Sequence, residues 1–116
     1  MPVSDCLFCK MAAGEIEPDV VYQDDRLLAF RDIKPQAPVH ILIIPKRHIA
    51  TLDDLTEADE PLVGSLVTTA ARLARQEGIA ERGYRTVLNC NADGGQEVFH
   101  IHLHLLGGRP MGWPPG

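Results

Sequence analysis

An α+β fold, with a mostly antiparallel sheet of about five strands, one long helix and one short helix, is what this sequence predicts. Three observations carry that expectation. Short β-prone runs recur along the chain, each closed by glycine, proline or polar residues. A single stretch, Leu62 to Ala74, places its apolar residues at helical spacing. The last two β-prone runs are separated by a glycine-containing turn, which invites antiparallel pairing.

The elements follow in order. Cys6 to Ala13 contains no helix breaker and runs into Gly14, a suitable C-terminal cap, so it reads as the short helix, with Cys6 and Cys9 near one face. Val20-Val21-Tyr22 and Leu27-Leu28-Ala29-Phe30 flank the polar Gln23-Asp24-Asp25-Arg26, the punctuation of a hairpin. Pro35 and Pro38 mark a loop. Val39-His40-Ile41-Leu42-Ile43-Ile44 is too apolar for an edge and closes at Pro45, which places it centrally in the sheet. From Thr56 or Asp59, both adequate N-caps, Leu62, Val63, Leu66, Val67, Ala70, Leu73 and Ala74 repeat until Gly78, giving the long helix. Arg85-Thr86-Val87-Leu88-Asn89 and Val98 to Leu106 complete the strands.

Composition narrows the function. A chain of 116 residues that is 45% hydrophobic suits one domain over residues 1–116. Its formal net charge of -5 opposes a polynucleotide as main partner, and Lys46-Arg47 is the only adjacent basic pair. No apolar run approaches the roughly 20 residues that cross a bilayer, and the N-terminus lacks the order of a signal peptide, so a cytoplasmic protein without a membrane partner is expected. In a reducing compartment Cys6-Leu7-Phe8-Cys9 reads as a metal or redox pair before a disulfide. Cys90 has no obvious partner and reads as a small buried side chain.

The most informative stretch is His100-Ile101-His102-Leu103-His104-Leu105-Leu106, preceded by Asp93-Gly94-Gly95-Gln96. Alternation puts three imidazoles on one face of a strand. At a repeat of roughly 6.6 Å, His100 and His104 stand about 13 Å apart, too far to share one ion whose ligands lie within about 4 Å of each other. The row is therefore a line of groups with separate tasks. A neutral imidazole is a competent nucleophile near neutral pH, and a neighbouring glycine loop suits phosphate, so the stretch points to phosphorus chemistry.

These residues resemble the histidine triad family of nucleotide hydrolases and transferases, whose pattern is His, apolar, His, apolar, His, two apolars. Phe30-Arg31-Asp32-Ile33-Lys34-Pro35-Gln36-Ala37-Pro38, Ile43-Ile44-Pro45, Gly94-Gly95-Gln96, Gly107-Gly108-Arg109 and Trp113-Pro114-Pro115-Gly116 extend the likeness to the Hint branch, the purine nucleoside phosphoramidases. The resemblance implies a HIT-like fold and cleavage of the P–N bond of adenosine or guanosine phosphoramidates through a nucleotidyl-histidine. His102 is then the nucleophile, and His104 interacts with phosphate oxygens or the leaving group. The first triad histidine, His100, lends a backbone carbonyl to the nucleophile. His40 is a further catalytic candidate, although on a central strand a satisfied core histidine is the ordinary reading.

For the substrate, the resemblance assigns Asp32 to the ribose hydroxyls and Asn89 to the phosphate and sugar. It makes Gly94, Gly95 and Gln96 a phosphate cradle, which a simple hairpin turn would otherwise explain. Leu7, Phe8, Met11, Ile16, Phe30 and Ile33 match the lining of a purine pocket. A homodimer is implied, with Trp113 in a tail that reaches the partner's site. Glu97 departs from the serine of some members, and an ionised carboxylate cannot donate a hydrogen bond, so an altered leaving-group preference is expected. Ile16-Glu17-Pro18 also departs from the more usual Ile-Pro.

Cys6, Cys9, His48 and His100 match the zinc ligands of other bacterial histidine triad proteins and related uridylyltransferases. Two thiolates and two imidazoles close a tetrahedral structural zinc site that bears no water and performs no chemistry. Two alternatives to the phosphoramidase are a dinucleoside polyphosphate hydrolase and a nucleotide-binding regulator acting through a partner.

Overall fold

The computed structural model describes residues 5–116; the part of the one-domain and signal-peptide readings that falls on residues 1–4 lies outside it. Five strands form one sheet in the order β1-β2-β3-β5-β4. They are β1 (Val20–Gln23), β2 (Leu27–Arg31), β3 (Val39–Pro45), β4 (Tyr84–Val87) and β5 (Leu103–Gly107), and every neighbouring pair is antiparallel. The helices are α1 (Leu7–Ala12), α2 (Glu60–Gln76) and a single turn, α3 (Asn91–Gly94). Among the described residues no helix is long and apolar enough to cross a membrane.

The apolar run Val39–Ile44 lies at the centre because both of its faces are covered. Ile41 and Ile43 join Leu27, Ala29, Leu103 and Leu105 in the core under Leu66, Ala70, Leu73 and Ala74 of α2. On the opposite face Leu42 and Ile44 pack with Leu28, Phe30, Cys6 and Phe8, so α1 closes that side. Period-two alternation thus sends odd positions of β3 to the long helix and even positions, His40 among them, to the other face.

Thr56 and Asp59 act together at the start of α2. Thr56 caps a one-turn 3-10 helix, Glu57–Asp59, through a capping box with Asp59, and Asp59 is in turn the N-cap of α2. Gly107 matters for close packing: a Cβ there would lie 2.4 Å from Ile79 Cδ1.

Two expectations are corrected. The last strand begins at Leu103 rather than Val98, so His100 and His102 precede the paired segment. There the Ile101 N–H donates to the Ile49 carbonyl and the His100 carbonyl accepts from the His102 ring, so the backbone of this segment is bonded away from β3. The turn between β4 and β5 is also no tight hairpin. Asn91–Gly94 forms the helical turn α3, ended by Gly95 in the left-handed region at φ 80°, and β4 ends at Val87 rather than Asn89.

Candidate active site

A cavity of about 710 Å³ opens on the α1 face of the sheet. Leu7, Phe8 and Met11 reach it from α1, Ile16 from the following loop, and Phe30, Asp32 and Ile33 from β2 and the residues after it. His40, Asn89, Gly95, Glu97, His102 and His104 line the rest. The tertiary structure therefore gathers most of the residues singled out above. Leu42 and Val98 line it too. Leu42, two residues beyond His40 on the same strand face, was open to the alternation argument; Val98 carries no such signal.

The three triad histidines occupy three environments. His102 is buried, and its Nδ1–H donates to the His100 carbonyl at 2.8 Å, so Nε2 carries the lone pair. Burial holds its pKa below the ordinary histidine value, against the opposing pull of that carbonyl, Asp32 and Glu97. A neutral ring with an available Nε2 is the form a nucleophile requires. Phe8 packs edge-on against it, ring centres 5.1 Å apart.

His104 pairs with His40 across β5 and β3. The partners in register are His40 with Leu106 and Leu42 with His104, so the two rings are diagonal neighbours on one face. His40 Nε2 lies 2.9 Å from His104 Nδ1, and the Gln36 backbone N–H donates to His40 Nδ1 at 3.0 Å. An acceptor at Nδ1 must carry its proton on Nε2 when neutral, so His40 donates to His104 and His104 keeps its own proton on Nε2. Burial, with His102 and His40 nearby, pushes the His104 pKa down to about 4. His40 is likewise lowered by burial, opposed by Asp32.

Asp32 Oδ2 stands 3.5 Å from His40 Nε2, and Oδ1 accepts from the Lys34 N–H at 2.8 Å. The Asp32, His40 and His104 atoms lie close enough to suggest a cation site. The Gln36 N–H argues otherwise, because a metal on His40 Nε2 would force a proton onto Nδ1, facing another donor.

His100 is fully buried and does not line the cavity. Its Nε2–H donates to the Pro45 carbonyl at 2.7 Å, which turns the Nδ1 lone pair toward Cys6 Sγ at 3.3 Å and Cys9 Sγ at 3.5 Å. His48 Nδ1 lies 3.2 Å from Cys9 Sγ. One ligand atom from each of Cys6, Cys9, His48 and His100 lies within 4.8 Å of the others, so the cluster can hold a metal ion. A histidine whose other nitrogen is held by a carbonyl is the arrangement metal-binding imidazoles adopt. Burial and the Cys6 thiol push the Cys9 thiol up to about 11, a cost that a bound cation would reverse.

Two expectations are corrected at the cavity edge. The Gly95 and Gln96 N–H groups donate to Ala92 and Asn91 carbonyls and end the α3 turn, so they are not a phosphate cradle. The Gln96 side chain is buried and wholly committed: Oε1 accepts from the Asn91 N–H, and Nε2 donates to the Ala50 and Val98 carbonyls. It locks the loop that presents Asn89, Gly95 and Glu97. Trp113 is 83% exposed and does not line the cavity of its own chain, so its place in the tail is left to the partner subunit.

A family model described as "HIT domain" matches residues 13–111. The chain belongs to the HIT domain family. It is 56% identical over 108 residues to the purine nucleoside phosphoramidase of Escherichia coli K12, covering 93% of this chain and 91% of that protein. A HIT family hydrolase from Legionella pneumophila superposes with a TM-score of 0.95 at 60% identity, covering 97% of this chain and 100% of the other. A histidine triad protein from Clostridium difficile gives 0.92 at 43% identity, with 97% of each chain covered.

Proposed function

We propose that this HIT domain protein is a purine nucleoside phosphoramidase, releasing AMP or GMP from nucleoside 5'-phosphoramidates. The observation that carries the reading is the bond from His102 Nδ1 to the His100 carbonyl, which leaves Nε2 as a neutral nucleophile in the cavity. The similarity to the E. coli enzyme supports the substrate class.

The purine lies among Leu7, Phe8, Met11, Ile16, Phe30 and Ile33, and Asp32 accepts from the ribose hydroxyls. Asn89 and the His104 Nε2–H supply donors for the phosphate oxygens. The substrate nitrogen takes a proton from solvent; His102 Nε2 then attacks phosphorus, forming an N–P bond as the substrate's P–N bond breaks and the amine departs neutral. The nucleotidyl-imidazole is cationic, and the His100 carbonyl on Nδ1–H stabilises it. Water then attacks phosphorus, the His102–phosphorus bond breaks, and the water's spare proton passes to solvent. Glu97, exposed at the cavity edge, meets the cationic amine of the leaving group, which sets leaving-group preference.

Cys6, Cys9, His48 and His100 would hold zinc, which supplies a structural brace between α1 and the segment before β5 and takes no part in the reaction. The protein acts in the cytoplasm as a homodimer. β4 is a sheet edge with Tyr84 exposed, and Val67 of α2 is exposed, which supports pairing on that side and a tail, Trp113 included, shared between subunits.

The test is AMP release from adenosine 5'-phosphoramidate, with acid-quenched samples searched by mass for adenylylated His102. Turnover together with the adduct is expected; His102→Ala should bind AMP and release none. A folded, metal-replete protein that binds AMP yet leaves the phosphoramidate intact would overturn the reading in favour of polyphosphate substrates.

A further inference from the structure

The loop between β2 and β3 supplies the backbone donor that decides where the protons sit on the His40–His104 pair. That donor is the Gln36 N–H, 3.0 Å from His40 Nδ1. Within the loop the supports are local. Lys34 N–H bonds Asp32 Oδ1, and the Gln36 side chain bonds the Lys34 carbonyl. Pro35 and Pro38 have no N–H to contribute.

Support from outside comes from the segment just past β5. Arg109 Nε donates to the Gln36 carbonyl at 3.0 Å, while its Nη1 donates to the Pro110 carbonyl at 3.0 Å, which holds the guanidinium in place. Next to it, Gly108 adopts φ +91°, and a Cβ there would lie 2.9 Å from Pro38 Cβ. The backbone after β5 therefore lies against Pro38, as its arginine grips Gln36. The Gln36 N–H and carbonyl flank one Cα, so anchoring the carbonyl limits the torsions through which the N–H could swing away from His40. Arg109 itself lines a separate hollow at the C-terminal end of α2, with Arg82 and Ile79, and is absent from the histidine cavity.

We propose that Arg109 is a positioning residue for the reaction: by holding the Gln36 carbonyl it aims the Gln36 N–H at His40 Nδ1, and so keeps both His40 and His104 in the Nε2–H form. Its effect on rate rests on the phosphoramidase reading, whereas its effect on the histidines does not. Were Arg109 to let go, His40 could place its proton on Nδ1 and turn a bare Nε2 toward the bare Nδ1 of His104. The pair would lose its hydrogen bond, and His104 would no longer be confined to the form that offers Nε2–H to phosphate. Arg suits the task because it stays charged at any pH the protein meets and donates along a fixed plane.

The experiment is long-range proton–nitrogen NMR on protein labelled with nitrogen-15 histidine, at neutral pH, for wild type, Arg109→Gln, Arg109→Lys and Arg85→Gln. Arg85 tethers the same tail through the Gly112 carbonyl without touching Gln36, and serves as control. Wild type should show unprotonated Nδ1 and protonated Nε2 at His40. Arg109→Gln should move both His40 nitrogens toward a mixture of the two forms and lower kcat about fivefold, the scale of one hydrogen bond, with AMP affinity changed less than about twofold. Arg109→Lys, able to donate one bond, should recover most of the wild-type pattern. Gly108→Ala, which pushes on Pro38, should shift His40 in the same direction as Arg109→Gln. Unchanged His40 and His104 nitrogens in Arg109→Gln would overturn the proposal, as would an equal change in Arg85→Gln. Wild type without phosphoramidate turnover but with the expected shifts would sink the activity and leave the assignment of Arg109 standing.

Discussion

His40 Nε2 donates to His104 Nδ1 at 2.9 Å, joining β3 to β5 through two side chains that are 64 residues apart in the chain. This contact orients His104. His40→Phe keeps the apolar bulk and removes the donor. Its kcat should fall on the order of a hundredfold, in the range of a lost acid–base or orienting group, with AMP affinity within about threefold. Steady-state kinetics beside calorimetric AMP binding decide it: equal losses in kcat and affinity would mean that His40 shapes the pocket instead.

The pH profile follows from the burial of His40, His102 and His104. All three are held below the ordinary histidine value, His104 near 4, so each is neutral at pH 7. In kcat/KM the acid limb should have its midpoint below 6.5. Stability shares the sign: between about 4 and 6.5 the unfolded chain binds more protons than the folded one, so the contribution is complete above 6.5 and is lost as pH falls toward 4. Urea midpoints at pH 7, 5.5 and 4.5 should decline in that order, and a midpoint that rose toward pH 5.5 would contradict the burial argument.

Metal removal should reach the nucleotide. α1 carries both functions, since Cys6 and Cys9 enter the cysteine–histidine cluster while Leu7, Phe8 and Met11 line the cavity. Stripping the ion with a chelator, or substituting Cys9→Ser, should lower the melting temperature and weaken AMP binding by about tenfold, an ordinary coupling between linked sites. Intact AMP affinity in metal-free protein would show that α1 stays docked without the cluster.

Gln96 should behave as a structural residue. Glutamate keeps its shape and can still accept from the Asn91 N–H, but it presents an anion to the Ala50 and Val98 carbonyls. Gln96→Glu is expected to cost about 1–3 kcal/mol at pH 7, the range for buried polar groups left unpaired, and to regain part of it as pH falls and the carboxyl protonates. Urea unfolding at two pH values reads both.

For Glu97 the expected change is one of preference. Glu97→Gln should slow amine-bearing substrates relative to those with fluoride or phosphate as leaving group. Parallel rates across the three leaving groups in both proteins would remove Glu97 from substrate selection.

Much of this protein was legible in local patterns. Alternation and helical spacing were enough for five strands and the long helix, because each buries a face whose period is written in consecutive residues. Strand spacing described only His104, since His100 and His102 precede β5 and take their places from tertiary contacts. Tertiary structure alone decided which nitrogen carries a proton in His40, His100 and His104, since the deciding partners are backbone groups the sequence does not single out: the Pro45 carbonyl for His100, the Gln36 N–H for His40 and, through it, His104. It likewise turned Gln96 inward, because its three partners come from two segments that only folding brings together, and used the Gly95 N–H to end a helical turn. Residue identity shows which groups can ionise or donate; the direction in which each one does so is a property of what surrounds it.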